Sequence, residues 1–268
     1  MKKFIAAVSA IALTFSTAFT AFAAETVDVY VTISDGTGAL PVTQEKITVT
    51  DVDADGALTI NDALFAAHEA KYDGGAEAGF DSSETEYGLS LNKLWGVENG
   101  GSYGYYKNNT SAMSLSDTIV DGDYITAYAY SDLTAWSDAY CWFDIDSAEL
   151  ETGAEMALAL SYAGYDADWN PVTLFASDAV ITINGEKTSY TTDSQGKVEI
   201  KFDEEGEYII SAVSDTQTLV PPVCKVKVTA ASSDSATTAP ETGNNTSGIV
   251  AVAAIALAAA FVTKKNEK

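Results

Sequence analysis

Arginine is absent from this 268-residue chain, and histidine occurs once, at His68. The 14 lysines are outnumbered by 39 acidic residues, so the formal net charge is −25 at pH 7. A chain of this sign repels a polyanion, and we therefore expect no nucleic-acid partner. Acidity on this scale instead favours solubility and the binding of divalent cations.

Signatures of catalysis are also lacking. The sequence contains no nucleophile elbow, no glycine-rich phosphate loop and no histidines and cysteines spaced for zinc. His68 falls in a predicted helix, where a lone histidine usually serves packing or the surface. Carboxylate pairs are so numerous that composition leaves a glycosidase pair open, but neither domain predicted below is a usual host for that chemistry. We expect a protein that is not an enzyme and has no catalytic residues.

Only two cysteines are present, Cys141 and Cys224. Export from the cytoplasm, predicted below, would place them where a disulfide is permitted. A bond between them would connect distant segments and, in our division of the chain, two domains. Two separate buried thiols are the alternative, and the sequence leaves both open.

The N-terminus is typical of a secretory signal peptide. A short basic start precedes an apolar run over residues 4–13, and residues 21–23 (Ala-Phe-Ala) have the small-x-small pattern that signal peptidase reads. We predict cleavage after Ala23, with Ala24 as the alternative, so that residues 1–23 form the signal peptide. The run is short for a membrane span, although an uncleaved anchor is the other interpretation.

The C-terminus has three parts in a fixed order. A linker over residues 231–247 is rich in Ser, Thr, Ala and Asn, an apolar segment covers residues 248–263, and a basic tail covers residues 264–268. This order resembles the sortase sorting signal of Gram-positive surface proteins, where a Leu-Pro-x-Thr-Gly pentapeptide precedes an apolar helix and a basic tail. The pentapeptide here is Ala239, Pro240, Glu241, Thr242 and Gly243.

The resemblance implies a location at the cell surface. A sortase would cut between Thr242 and Gly243 and join Thr242 to peptidoglycan. The apolar segment would hold the chain in the bilayer while its lysines stay on the cytoplasmic side. Because Ala239 replaces the family's leucine, a sortase class that accepts alanine is required, and a plain C-terminal membrane anchor is the alternative.

The first domain, residues 25–144, is predicted to have an α+β fold. Residue patterns predict a helix over residues 61–72 and strands on both sides of it. Four segments resemble the transcobalamin C-terminal-like domain, a β-grasp module of bacterial surface proteins. They are residues 59–64 (Thr-Ile-Asn-Asp-Ala-Leu), 87–96 (Tyr-Gly-Leu-Ser-Leu-Asn-Lys-Leu-Trp-Gly), 103–109 (Tyr-Gly-Tyr-Tyr-Lys-Asn-Asn) and 121–124 (Asp-Gly-Asp-Tyr). Because the related domain of animal transcobalamin covers a corrin ring, the resemblance makes a corrinoid the candidate ligand.

The second domain, residues 145–230, is predicted to be an all-β sandwich. Short strands recur at regular spacing with turn residues between them. Residues 192–198 (Thr-Asp-Ser-Gln-Gly-Lys-Val) and 206–208 (Gly-Glu-Tyr) resemble Ig-like domains of bacterial surface proteins. Such domains usually act as spacers, which is the role we expect here.

Residues 51–62 follow the order of an EF-hand loop. Carboxylates stand at the first, third and fifth positions and glycine at the sixth, a spacing that brings oxygen ligands to one calcium ion. The final aspartate resembles the dockerin version of the loop, but dockerins have two such loops and this chain has one. The alternative is an acidic turn in which Thr59 or Asn61 caps the helix. The predicted calcium ligands are Asp51, Asp53, Asp55, Ala57 through its carbonyl, Thr59 and Asp62.

Aromatic residues crowd into the first predicted domain, where Trp136, Tyr140 and Trp142 follow those of the family segments. Strand alternation places Tyr103 and Tyr105 on one face and Tyr106 on the other. One face should be core, and the other would be open to a sugar, a flat cofactor or a protein partner. The predicted ligand-binding residues are Trp95, Tyr103, Tyr105 and Tyr106.

These patterns predict a cell-wall-anchored surface binding protein with a structural calcium ion. The sequence does not identify its ligand, and the family-based candidate is a corrinoid or another small cofactor. One alternative is an adhesin that binds a host protein through the acidic, aromatic surface. The other is a structural spacer of the envelope.

Overall fold

The computed structural model describes residues 26–231. Most of these residues form β-strands, arranged as a mixed sheet with a helix followed by a sandwich of two sheets. No helix within this range has the length and apolarity needed to cross a membrane. The predicted signal peptide, sorting pentapeptide, apolar segment and basic tail lie outside the described residues.

The first module is built from seven strands and two helices. The elements are β1 Val27–Ser34, β2 Val42–Val49, α1 Ile60–Lys71, α2 Gly75–Gly79, β3 Asp81–Thr85, β4 Gly88–Lys93, β5 Tyr103–Lys107, β6 Thr110–Ser111 and β7 Tyr124–Ala129.

The main sheet of this module has the strand order β2-β1-β7-β5-β6. The central pair, β1 and β7, is parallel, and the other neighbours are antiparallel. Helix α1 contributes Ile60, Leu64 and Ala67 to the core beneath the sheet, where they meet Val29 and Val31. The 3.6-residue spacing of these apolar positions explains why the segment is helical.

The predicted helix is present, with its start one residue earlier than the pattern indicated. It ends at Lys71, and Tyr72 caps it in an extended conformation. The sequence indicated only a polar loop after the Gly74-Gly75 pair, whereas the short helix α2 begins there. Gly74 makes this possible because its φ of 88° is costly for a residue with a Cβ atom.

The second module consists of ten strands. They are β8 Ala139–Phe143, β9 Ser147–Glu151, β10 Glu155–Tyr165, β11 Pro171–Phe175, β12 Val180–Ile183, β13 Glu186–Thr191, β14 Lys197–Lys201, β15 Gly206–Val213, β16 Leu219–Val220 and β17 Cys224–Thr229.

Two sheets enclose the core of this module. One has the order β11-β10-β8-β16, with β14 also paired to β10, and the other has the order β13-β12-β15-β17-β9. Alternating residues of both sheets, including Leu158, Ile181 and Ile200, fill the space between them. Strand β8 pairs with β10 and β16, so residues 139–143 belong to this sandwich although the sequence division fell between residues 144 and 145.

Of the two possibilities that the sequence left open for the cysteines, the structure has the two separate buried thiols and not the disulfide. Cys141 and Cys224 are free thiols, and both lie in the core of the second module rather than bridging two domains. The Cys141 thiol donates a hydrogen bond to the Val220 carbonyl at 2.9 Å. The sequence division placed Cys141 in the first domain because no local pattern shows that it lies on β8 of the sandwich.

We predict that neither thiol reacts with iodoacetamide in the native protein. Burial raises the pKa of both thiols, that of Cys224 to about 12, and the thiolate is the reactive form. Mass spectrometry should find no adduct on the native protein and two adducts after unfolding in urea without a reductant. Adducts that appear in urea only after reduction would contradict the assignment of free thiols.

Candidate functional site

The acidic loop between β2 and α1 folds its carboxylates together. Asp51, Asp53 and Asp55 each offer an oxygen atom, and these atoms lie within 4.8 Å of one another. Backbone amides support the arrangement: Asp51 accepts from the amides of Asp55 and Gly56 at 3.2 and 2.9 Å. Ala54 and Gly56 turn the chain with φ values of 60° and 88°. The loop therefore presents one cluster of oxygens, the donor type that calcium requires.

Asp62 and Thr59 connect this loop to the helix. Asp62 is fully buried and accepts from the Val52 amide through one oxygen and from the amide and hydroxyl of Thr59 through the other. The Asp62 amide completes a capping box with the Thr59 hydroxyl. Of the predicted calcium ligands, Asp51, Asp53 and Asp55 lie in the cluster. Asp62 and Thr59 instead cap the N-terminus of helix α1, which for Thr59 is the capping alternative that the sequence left open.

The loop carboxylates repel one another. The pKa of Asp53 is raised above its ordinary value by partial burial and then by the charges of Asp62, Asp55 and Asp51. The charged form of Asp53 is thus disfavoured, and a divalent cation among the carboxylates would reverse that preference. The donor chemistry and the spacing of the loop both fit calcium.

The four aromatic residues predicted to bind a ligand are divided between two faces of the first module. Trp95 packs beside His68 and Tyr72, with ring centroids 5.1 and 5.0 Å away. Tyr103 and Tyr105 also pack against the first core, whereas Tyr106 points away from it. The four side chains do not form one shared platform.

The outward face of β5 meets the second module. Tyr106 stacks on Tyr140 of β8, with ring centroids 3.6 Å apart and planes 9° apart. Tyr128 and Val220 pack with them. Gly104 is required here because a Cβ atom at this position would collide with the Tyr128 ring that crosses it. Sequence alternation identified the face, but it did not show that a second module covers part of it.

Polar contacts reinforce the same junction. The Gln44 amide donates to the Val223 carbonyl at 3.1 Å, and the Lys225 ammonium contacts the Gln44 carbonyl at 3.2 Å and Glu45 at 3.4 Å. Gln44 has a φ of 42° and is buried. Apolar and polar contacts from both modules therefore fix one relative arrangement.

Beside this junction lies an open groove of about 640 Å³ that is lined by residues of both modules. Both modules contribute tyrosine side chains to it, the second module adds Trp142, and the connecting loop adds Trp136. Hydroxyl and amide groups lie among the rings. Its aromatic lining residues are Tyr106, Tyr128, Tyr130, Trp136, Tyr140, Trp142 and Tyr165. The volume falls in the range of ligand-binding clefts, which occur preferentially between domains.

Sequence reasoning missed part of this groove. Tyr165, on the rim, belongs to the β10–β11 hairpin of the second module, far from the residues predicted to bind. Tyr140 and Trp142 were noted as aromatic, but they lie on β8 of the sandwich. An exposed aromatic residue inside an Asp-rich turn, as in residues 165–170 (Tyr-Asp-Ala-Asp-Trp-Asn), is the signal that would have identified the hairpin.

His68 is held on both sides by the first module. Its Nδ1 lies 2.6 Å from the Leu64 carbonyl, and its Nε2 accepts from the Trp95 amide at 2.9 Å. These partners require a neutral ring with the proton on Nδ1. Burial lowers the pKa of His68 to about 4, against the opposing effect of the Leu64 carbonyl. The ring therefore anchors the turn at Trp95 to helix α1.

Comparison with known proteins gives little. No family model and no curated protein matches the chain. The first four Ig domains of Dscam1 isoform 4.44 align with 55% of this chain and 32% of that chain, at 11% identity and a TM-score of 0.23. The Ig1-2 module of the Drosophila receptor protein tyrosine phosphatase DLAR aligns with 56% and 74%, at 14% identity and a TM-score of 0.24. Sequence identities and TM-scores this low support no statement about function.

We predict that His68 makes stability depend on pH between about 4 and 6.5. The unfolded chain binds a proton at His68 below pH 6.5, whereas the folded chain resists it down to about 4. His68 therefore contributes stability that is present above pH 6.5 and is lost as the pH falls, by about 1.4 kcal/mol per pH unit.

Urea unfolding of the parent protein and of His68→Gln across this window measures the effect. The acidic residues titrate in both proteins, so the difference in slope isolates the histidine. Equal slopes would show that His68 is charged in the folded state.

Proposed function

We propose that this chain is a cell-wall-anchored surface binding protein, in which residues 26–231 form a two-module binding head. The observation that carries the proposal is the aromatic groove between the modules. Trp136 and Tyr165 line this groove and are 60% and 64% exposed. Exposed aromatic side chains in a cleft between two modules are typical of a binding site. The sorting pentapeptide and apolar segment supply the proposed attachment.

A binding role agrees with the state of the most reactive side chains. His68 uses both ring nitrogens to position helix α1 and Trp95. The two thiols are buried, and burial raises the pKa of each. These groups are committed to packing within the head, which supports a protein that binds and does not catalyse.

The topology supports the finer description of both modules. A mixed sheet with a parallel central pair and one helix packed on it agrees with a β-grasp-like first module. Two facing sheets with an alternating core agree with an Ig-like second module. In this proposal the second module supplies one wall of the groove, so it is more than a spacer.

We further propose that the acidic loop binds one calcium ion. Asp51, Asp53 and Asp55 would hold it, with the Ala57 carbonyl and Asp62 close along the chain. The ion would offset the mutual repulsion of the carboxylates and fix the start of helix α1 through Asp62. Its role is to stabilise the first module.

Surface attachment is tested by cell fractionation of a sortase-bearing Gram-positive host that expresses the full chain. Muramidase should release the parent protein with peptidoglycan fragments joined to Thr242. Thr242→Ala should remain with the membrane, because the bond to be cut is altered. Thr238→Ala is the matched control and should behave like the parent.

The other outcomes are informative. A parent protein that stays in the membrane after muramidase digestion would indicate the plain C-terminal anchor. A parent protein retained in the cytoplasm would contradict the surface location altogether.

Calcium binding is tested by unfolding in millimolar calcium and in a chelator. At free calcium about 100 times above the dissociation constant, the parent should gain about 2.7 kcal/mol of unfolding free energy. The double substitution Asp51→Asn with Asp55→Asn should abolish the gain, whereas Glu84→Gln removes a charge outside the loop and should preserve it. Without calcium, Asp53→Asn should be more stable than the parent, because it relieves repulsion. No heat in a calcium titration by calorimetry would end the proposal.

A further inference from the structure

We propose that the groove between the modules binds a neutral carbohydrate chain. This inference rests on the proposed binding function and names its ligand class. It follows from three features of the groove: walls with no lysine and a single carboxylate that is already hydrogen-bonded, aromatic rings from both modules, and two exposed tryptophan loops at or near the rim. Each feature is supported by contacts within the described residues.

The groove walls contain one ionisable acid and no lysine. The acidic residue is Asp138. The Asp138 carboxylate is already occupied: one oxygen accepts from the amide and hydroxyl of Ser131, and the other accepts from the Asp132 amide. The Tyr106 hydroxyl stays uncharged, since burial raises the pKa of Tyr106 to about 12. An anion would meet no cation here, and the one carboxylate already accepts hydrogen bonds on both of its oxygens.

One rim of the groove is the loop between the modules. Trp136 is 60% exposed and has a φ of 49°, an unfavourable conformation for a bulky residue. Asp132 holds the loop by accepting from the amides of Thr134 and Ala135 and from the Ser137 hydroxyl. The indole nitrogen donates to the Ser102 hydroxyl of the first module at 3.2 Å. The loop thus keeps a large ring at the surface in one orientation.

A second part of the rim is the β10–β11 hairpin. Tyr165 lines the groove and is 64% exposed, and its ring lies 6.1 Å from that of Trp169, which is 80% exposed. Trp169 also has a positive φ, 64°. The Asp166 carboxylate holds the turn by accepting from the amides of Asp168 and Asn170. Two loops held by aspartate side chains therefore carry exposed tryptophans with a positive φ. Backbone strain of this kind clusters at ligand-binding sites, and tryptophan is enriched among the residues that anchor a partner.

Carbohydrate matches this surface better than other ligands. A sugar ring has a face of C–H groups that packs on an aromatic ring and an edge of hydroxyls that needs hydrogen-bond partners. The groove supplies both, since polar groups are distributed among its rings; they include Asn109, Thr110, Ser111, Ser137 and Gln217. The net charge of −25 disfavours acidic glycans and other anions. A neutral glycan meets the aromatic and the polar surfaces at once.

The test measures the binding of neutral oligosaccharides to two purified proteins. One is the head, residues 26–231 with both modules joined, and the other is the full secreted chain. The oligosaccharides used are chitohexaose, mannohexaose and cellohexaose. Binding of each is measured by tryptophan fluorescence and by calorimetry. At least one should bind and change the emission of the exposed tryptophans. Trp136→Ala and Trp169→Ala should each weaken that binding by about tenfold or more, as expected for aromatic anchors.

Tyr87→Ala is the matched control, because Tyr87 is exposed but lies outside the groove. The Tyr87→Ala variant should bind the oligosaccharide with the same affinity as the parent protein. Circular dichroism and the midpoints of urea unfolding check that the two tryptophan variants remain folded. We expect both to fold, because the replaced side chains are exposed.

Three results would overturn the carbohydrate assignment. The first is that no neutral oligosaccharide binds at millimolar concentration. The second is binding that both tryptophan variants retain. The third is that cobalamin or a lysine-rich peptide binds in a way that depends on Trp136 while the sugars do not. In the third case the binding function stands and only the ligand class fails, whereas failure in the muramidase experiment contradicts surface attachment without bearing on the groove.

Discussion

The stack of Tyr106 on Tyr140 is the contact on which the arrangement of the head depends. It joins an outward-facing residue of the first sheet to a strand of the sandwich, at a ring separation of 3.6 Å. The aromatic rings bring a large apolar area from both modules into this contact, and its burial stabilises the junction. Because the groove has one wall from each module, its width is set by this junction. A hinge at the same place would leave two separate modules and no defined cleft.

Local patterns were sufficient for much of the first module. The spacing of Leu64 and Ala67 and the Thr59 cap define helix α1, since both signals act within a few residues. Alternation likewise separated Tyr106 from Tyr103 and Tyr105. The acidic loop was also visible, because its carboxylates are close in sequence as well as in space.

Long-range pairing explains what the sequence did not reveal. Whether Cys141 belongs to the first or the second module depends on the pairing of β8 with β10 and β16, and no local pattern encodes that choice. The same uncertainty produced the disulfide expectation. Alternation also cannot say what covers an aromatic face, so the contribution of Tyr165 to the groove appeared only in the folded chain.

The placement of β17 has a mechanical consequence. This last strand lies inside its sheet, with β15 on one side and β9 on the other, and each neighbour pairs with it over five residues. Tension applied to the chain beyond Thr229 would pull β17 along its own axis, across hydrogen bonds that lie nearly perpendicular to the antiparallel strands. Both rows of bonds would then bear the load together in shear, and rupture would require many to break at once. A head tethered at that end would resist flow without losing its fold.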